Sequence, residues 1–599
     1  MFFGIKLVKT IINKQLILPL LHKIFITILA EIMTQLNIRI LSIFLLFFSN
    51  IYAQDKYPTD YFQNPLEIPM YLAGTFGELR SNHFHSGIDI KTQQKEGFKI
   101  FAVGDGYVSR IKVSHWGYGK ALYVTHPNGY TSVYAHLKKY SPKIEAYIKK
   151  HQYKKEKFEI QLYPSNTDLQ LEKGEVIAYT GSTGGFVAPH LHFELRDGKS
   201  KPINPMYFGI TVKDDKKPSI NVLMAYPLDD FSQVNQSNIP LQIPFKQLNN
   251  GNLLADKIYA SGTIGFGINV FDRLNGALNK NGIFSLEMFV NGNKTYSHTV
   301  ETFSFAESKY LNLLIDYERY ATLKQRVQRC FVEPKNKLSI YKDVKNHGYL
   351  PIEEGLTYTV EIVAKDFVGN KKKLVIPIIG KTDSIKVVKE DNTTPYPIKS
   401  AEFNKYTKKG VTVAFPKNTF YNDFHLDFKV EDGNAFIHEE KTVPVHSKFT
   451  LTFDVSSYTS EEKQQLFIAK YNSKGYPSYS NTVKKETTFY TRTKNLGKYS
   501  LLSDTEKPKL RIHNFKNEQW LTNYKKLVLK TSDNLSGIKS YRGEIDGQWI
   551  LLEYSPKHKT LTYDFSDRKL VGAKHQLKVI VKDNVGNTNI LEKTFYRKK

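Results

Sequence analysis

The chain has one cysteine, Cys330, among 599 residues. A single thiol excludes an intramolecular disulfide framework. It also excludes cysteine-based zinc sites, so any zinc must rest on histidine and carboxylate. Cys330 itself reads as a small buried apolar residue. Acidic residues are outnumbered, 58 Asp and Glu against 85 Lys and Arg, for a net charge of +27. The excess is spread along the chain rather than gathered into an arm, which suits a polyanionic neighbourhood such as an envelope surface. No nucleic-acid-binding signature accompanies it. Low-complexity runs are absent too. What is present is globular: 41% hydrophobic residues with 38 Tyr and 38 Phe, in a chain too long for one core, so several domains are expected.

The first half-hundred residues read as a targeting segment. From Met33 a short stretch with one positive charge, Arg39, leads into an apolar run, Ile40 to Phe48, and Ala53 permits cleavage before Gln54. The expectation is a secretory signal peptide starting at Met33, with residues 1–32 an over-extended start. The competing reading, an uncleaved membrane anchor, is disfavoured by the shortness of the apolar run. No cysteine follows the cleavage point to make a lipoprotein.

The chemistry concentrates in the stretch from Glu78 to Phe193. Near the start stands His85-Ser86-Gly87-Ile88-Asp89, and near the end Pro189-His190-Leu191-His192-Phe193-Glu194. Read as strands, whose side chains alternate faces, His85, Gly87 and Asp89 point one way, and His190, His192 and Glu194 share a face opposite Leu191 and Phe193. Two histidines and a carboxylate can thus meet above a sheet with a third histidine beside them, three N and O ligands for a mononuclear zinc with a fourth position left for water. Strand-like runs at Phe98–Val103, Tyr107–Val113, Ala121–Thr125, Thr131–Leu137 and Val176–Tyr179 surround these motifs, and Asn128-Gly129 predicts a hairpin. In the run from Thr131, alternation gives Val133, Ala135 and Leu137 one face and Ser132, Tyr134 and His136 the other. His136 is therefore expected to look out over the histidine cluster.

His85-Ser-Gly-Ile-Asp89, Tyr134-Ala-His136-Leu, Gly181-Ser-Thr-Gly184 and Pro189-His-Leu-His192-Phe-Glu together resemble the M23 peptidases, the lysostaphin and LytM-like zinc endopeptidases of bacterial cell walls. The resemblance covers about a quarter of the chain. It implies an antiparallel β core with a groove across the sheet, zinc (Zn2+) held by His85, Asp89 and His192, and His136 and His190 as catalytic residues that do not bind the metal. In such a site zinc activates a water and polarises the scissile carbonyl, one histidine moves the proton, and the other steadies the oxyanion. Alone, His83, His115 and His126 read as ordinary histidines. Glu194 and Asn82 fit either supporting groups or solvated rim residues and stay outside the site. A long Lys- and Tyr-rich insertion at about 138–173 departs from the family pattern, and is expected to be a solvated excursion or a lid beside the groove.

The remainder is strand-like throughout, with a weak internal repeat. Asp214-Asp-Lys-Lys-Pro218 matches Asp504-Thr-Glu-Lys-Pro508, and Lys365-Asp-Phe-Val-Gly-Asn370 matches Lys582-Asp-Asn-Val-Gly-Asn587. The Asp-x-Val-Gly-Asn ends resemble bacterial immunoglobulin-like domains. There Asp and Asn would make turn hydrogen bonds and Gly would supply a positive φ, with a calcium site the lesser alternative. The expected fold is all-β: an antiparallel LytM-type peptidase domain at 76–208 after a linker at 54–75, then sandwiches at 209–382, 383–500 and 501–599. The first sandwich is enlarged by an insertion around Ser304–Gly348. The peptidase domain is expected to form its site without the sandwiches.

Two functions are compatible with this reading. The first is a secreted zinc endopeptidase acting on peptide cross-links of peptidoglycan, in the periplasm or cell envelope and with no stable membrane span after signal cleavage. The second is a non-catalytic envelope protein whose peptidase-like domain binds or activates another cell-wall hydrolase. The sandwiches offer a surface for an envelope partner in either case.

Overall fold

The computed structural model describes residues 56–185, 188–388 and 392–598, with a few positions between 23 and 33. Two compact units are formed, Met1–Thr59 and Asp60–Lys599. In the first, the described positions from Lys23 to Met33 are helical and exposed, and the apolar run Ile40–Phe48 and its cleavage point lie outside the described residues. Among the described residues, no helix is long and apolar enough to cross a membrane.

The larger unit is all-β. Its first part contains β1 (Leu72–Gly74), β2 (Ile88–Lys91), β3 (Lys99–Phe101), β4 (Gly106–Val113), β5 (Lys120–Thr125), β6 (Thr131–Ala135), β7 (Lys139–Tyr140), helix α1 (Pro142–Lys155), β8 (Ile160–Leu162), β9 (Gln170–Leu171), β10 (Val176–Tyr179), β11 (His190–Arg196) and β12 (Pro202–Ile203). One antiparallel sheet runs β1-β2-β11-β6-β5-β4-β8, with β12 beside β11 and β9 beside β4, and a smaller sheet runs β3-β10-β7. The Asn128-Gly129 pair turns β5 into β6, with Gly129 at φ +84°.

Strand β11 is central, flanked by β2 and β6, and its alternation sets both layers. Leu191, Phe193 and Leu195 are fully buried on one side. There Phe193 packs 5.4 Å from the Tyr134 ring, whose hydroxyl accepts the Val103 amide at 3.1 Å and ties in the smaller sheet. The other side carries His190, His192, Glu194 and Arg196. Residues directly opposite in an antiparallel pair share a face. His192 faces Asp89 and Ala135, and Glu194 faces Val133, so the face of Val133 and Ala135 is the site face and Tyr134 lies on the core side.

The insertion is packed against its neighbours rather than a solvated excursion. It builds α1, begun by Pro142 in the first turn, where the missing amide costs no helical bond. Ile144, Ile148 and Gln152, one helical face at four-residue spacing, are buried. The outer face meets the end of the chain: Lys149 pairs with Asp567, Tyr153 stacks edge-on to Trp549 at 5.2 Å, and Arg542 reaches Glu156 at 2.6 Å.

Beyond Gly209 three apolar cores follow one another. They span Ile220–Ile378, which includes the buried Cys330, then Ile398–Tyr499, then Phe515–Phe595. Burial pushes the Cys330 thiol far up, in line with a packing residue. The two Asp-x-Val-Gly-Asn turns are alike: Asp366 accepts the amides of Gly369 and Asn370, and Asp583 those of Gly586 and Asn587. Gly369 and Gly586 take φ +98° and +112° there.

Candidate active site

Three donors converge where β2 and β11 pair. His85 Nε2 lies 3.0 Å from Asp89 Oδ1 and 3.0 Å from His192 Nδ1, and His192 Nδ1 lies 2.9 Å from Asp89 Oδ1. All three residues are buried. Asp89 and His192 come from paired strand positions. His85 does not lie in a strand: β2 starts only at Ile88, and His85 sits in the approach to it, with its amide donating to the Glu78 carbonyl and its carbonyl accepting from Gly77.

The outer nitrogen of each imidazole is held by an acceptor. His85 Nδ1 lies 2.8 Å from the Thr75 carbonyl and His192 Nε2 2.8 Å from Glu194 Oε1. Outer N–H donation leaves a lone pair on each inner nitrogen, and two lone pairs facing a carboxylate at 3 Å repel unless a proton or a cation lies between them. The metal-free chain holds a proton there. Burial works against charge on His192, but its hydrogen bonds to Asp89 and Glu194 outweigh this and raise it to about 9. Burial likewise opposes ionisation of Asp89, yet His85 and His192 hold it well below the usual carboxylate range. The donor triangle is close to the edge of a zinc tetrahedron, about 3.4 Å for bonds near 2.1 Å. His85, Asp89 and His192 therefore fit a metal ion.

Glu194 is part of this arrangement, as a supporting group rather than the solvated rim residue that the sequence left as an equal choice. Its side chain is fully buried, and it accepts from Arg196 Nε at 2.6 Å, Ser86 Oγ at 2.9 Å and the Tyr118 hydroxyl. Burial would raise its pKa, but Arg196 first and then His192 drive it well below the usual range. On the opposite edge Arg80 donates to Asp89 Oδ2 at 3.0 Å. Period-two alternation along β11 could have selected Glu194 and Arg196. Arg80, Ser86, Thr75 and Tyr118 lie in turns and loops and carried no such signal.

His190 and His136 flank the triangle. His190 Nε2 is 3.6 Å from Asp89 Oδ1, and the His136 and His190 rings are 4.7 Å apart. Each turns Nδ1 onto a carbonyl, His190 to Ala188 at 2.7 Å and His136 to Thr183 at 2.8 Å, which leaves each Nε2 with a lone pair. Burial, then the charges of His190 and His192, lowers His136 to about 3, and burial lowers His190. Strand alternation does not bring His136 here. It would put His136 with Tyr134 on the core side, but β6 ends at Ala135 and His136 adopts φ +60°, turning the chain so that the ring reaches the site face.

The other histidines stand elsewhere. His83 is exposed beside Asn82, 2.8 Å away. His126 is buried between the Asp105 carbonyl and Ser132. His115 stacks on Phe158 and meets Tyr554 at 5.4 Å.

Residues 396–504, where a further β-sandwich was expected, match a Zu5-like domain. Over 128 residues the chain is 31% identical to the DD-carboxypeptidase/endopeptidase Mpg of Neisseria meningitidis serogroup B, covering 21% of this chain and 23% of that protein. It is 29% identical over 122 residues to an uncharacterized metalloprotease of Haemophilus influenzae, covering 20% of each, and 24% identical over 139 residues to the cell division protein DipM of Caulobacter vibrioides, covering 22% and 19%. The matches thus span less than a quarter of the length of these relatives. Among solved structures, the lysostaphin catalytic domain of Staphylococcus simulans is 21% identical, covering 24% of this chain and 93% of that one at a TM-score of 0.18. The catalytic domain of the M23 protein EnpA from Enterococcus faecalis is 20% identical, covering 26% and 97% at 0.18. Residues 83–153, which hold His85, Asp89 and His136, match the model of peptidase family M23, a stretch that is a small part of the chain.

Proposed function

We propose that this chain is a zinc metalloendopeptidase that hydrolyses peptide cross-links of bacterial peptidoglycan, working in the periplasm or cell envelope after secretion. The observation that carries the reading is the donor triangle of His85 Nε2, Asp89 Oδ1 and His192 Nδ1, with sides of 2.9 and 3.0 Å, flanked by two histidines that spend Nδ1 on carbonyls. Zinc bound there would supply a Lewis acid that makes water nucleophilic near neutral pH.

The chain's own residues do the rest. Thr75 and Glu194 hold the two ligand imidazoles in the tautomer that presents a lone pair inward. His190 or His136, both neutral, accepts the water's proton at Nε2 and returns it to the leaving amine. Once protonated, an Nε2–H at this position also donates to the oxyanion. The choice of a wall peptide as substrate follows the motif resemblance to cell-wall peptidases, and the similarity to Mpg, whose name states a DD-carboxypeptidase/endopeptidase, supports it.

The test is a digest of purified peptidoglycan with the zinc-loaded chain, its products identified by mass, beside a His190→Ala control. Cross-linked dimers should vanish and the matching monomers appear, with the control inert. An unchanged digest would favour the partner-binding alternative.

A further inference from the structure

A second cluster of carboxylates lies away from the histidines. One oxygen from each of Asp214, Asp272 and Asp366 lies within 4.8 Å of the others. Asp272 is 2% exposed and Asp366 5%. Such crowding of buried carboxylates is unfavourable unless something positive lies among them. Lys216 is close by, but its ammonium is 3.3 Å from the Leu274 carbonyl, to which it donates.

An independent observation shows where a ligand belongs. Among the described residues, Asp272 Oδ1, almost wholly buried, has no hydrogen-bond partner, and neither has Asp214 Oδ2. All three aspartates line one cavity of about 30 Å³. That exceeds the 10–15 Å³ or so that one small occupant needs. The loop after Asp272 carries two more buried, unpartnered amide oxygens, Asn275 Oδ1 and Asn279 Oδ1.

The arrangement recurs. Asp504, Asp533 and Asp583 form the same trio near the end of the chain, and Asp272-Arg-Leu-Asn-Gly276 corresponds to Asp533-Asn-Leu-Ser-Gly537. The second trio is more nearly satisfied from within. Asp504 accepts the amides of Glu506 and Ser536, and Asp583 those of Val585, Gly586 and Asn587, so Asp533 Oδ1 is the one oxygen of that trio left without a partner. The open copy is the first.

We propose that Asp214, Asp272 and Asp366 bind a calcium ion. The donors are all oxygen, the chemistry of a hard cation with high coordination number, whereas zinc favours the nitrogen donors of the other site. The cavity also meets the peptidase part through Thr75 and Phe76. Gly282 and Thr75 exchange hydrogen bonds at 3.1 and 3.3 Å, and Asn279 donates to the Ala73 carbonyl at 3.0 Å. Thr75 is the residue whose carbonyl orients His85, so the ion would stiffen the loop on which that orientation rests. The alternative occupant is a proton: burial, then Asp214 and Asp366, pushes the Asp272 carboxyl up to about 7.

The experiment titrates calcium chloride into the zinc-loaded full chain in calcium-free buffer at pH 7.5, followed by calorimetry and thermal unfolding. Calcium should bind and raise Tm. Asp272→Asn should weaken that binding at least tenfold, and Asp533→Asn should leave it unchanged. If Asp272→Asn does not fold, Asp214→Asn, at a half-buried position, is read in its place. Wild-type chain without a calcium response, or an Asp272→Asn chain that binds calcium as the wild type does, overturns the site. So does a higher Tm of calcium-free Asp272→Asn at pH 8 with no calcium effect in the wild type, which would make the occupant a shared proton.

Discussion

The Lys120 ammonium lies 3.0 Å from the Glu553 carboxylate, across 433 residues of sequence. Lys120 is buried, and its ammonium also donates to the Lys138 carbonyl at 3.2 Å. Its backbone amide donates to Thr183 Oγ1 at 3.0 Å, and the Thr183 carbonyl receives His136 Nδ1. The last core of the chain is thereby wired to the turn that presents a candidate catalytic histidine. Glu553 is 44% exposed at its side chain, so solvent screens the pair. A double-mutant cycle of Lys120→Met and Glu553→Gln, read by chemical denaturation, should return a coupling of about 1 kcal/mol. A coupling of zero would mean that the contact is inert.

His85→Ala, Asp89→Ala and His192→Ala should each lose zinc, measured by competition with a chromophoric chelator. His190→Ala should keep zinc and lose about 10²- to 10⁴-fold in turnover. Full activity of His190→Ala on a wall substrate would assign the proton transfer elsewhere.

Glu194→Gln should weaken zinc binding by about 10- to 100-fold, since it removes the charge that steadies His192 Nε2. It also strands Arg196, whose guanidinium is buried against that carboxylate, at a cost of about 3–5 kcal/mol. Zinc affinity and Tm should therefore fall together. Loss of Tm with unaltered zinc affinity would make Glu194 a partner of Arg196 alone.

The metal-free chain should lose stability on both sides of neutrality. A histidine raised in the folded state contributes fully below its unfolded value, about 6.5, and that contribution is lost as pH rises through the folded value. For His192 the loss runs from about 6.5 up to about 9. His136, lowered to about 3, is held neutral and destabilises the fold as pH drops below about 6.5. Zinc should displace the His192 proton, so calorimetry at pH 7.5 in buffers of different ionisation enthalpy should count about one proton released. No proton release would place the metal elsewhere.

Phe303→Ala should cost about 3–5 kcal/mol and weaken zinc binding. Phe303 lies beyond Gly209, yet its ring is 5.2 Å from both Phe76 and Phe84, and Ser308 Oγ takes the Phe84 amide at 2.8 Å. The chain ending at Gly209 should for the same reason bind zinc poorly, contrary to the modular expectation. A truncated chain with native zinc affinity would restore that expectation.

Strand alternation made Asp89, His190 and His192 legible, because paired strands transmit a period of two across a sheet. The same rule failed for His136, whose position depends on where β6 stops and on a left-handed residue, neither of which leaves a periodic trace. The packing of the insertion left little trace: Ile144 and Ile148 stand one turn apart among lysines, and the burial of Gln152 beside them comes from its bond to the Phe158 carbonyl. The contacts of Phe303 with Phe76 and Phe84, and of Glu553 with Lys120, join segments hundreds of residues apart, and nothing local in the sequence encodes them.

Arg80 on Asp89 Oδ2 and Arg196 on Glu194 Oε2 set a guanidinium on the outer oxygen of each of these carboxylates, with Arg80 also reaching Glu78 at 3.4 Å. Much of the negative charge around the two ligand imidazoles is thus offset before any cation arrives. With Oδ2 engaged, Asp89 has a single oxygen to offer inward. A dication received there would keep most of its charge for the substrate carbonyl, rather than having it cancelled by the protein around it.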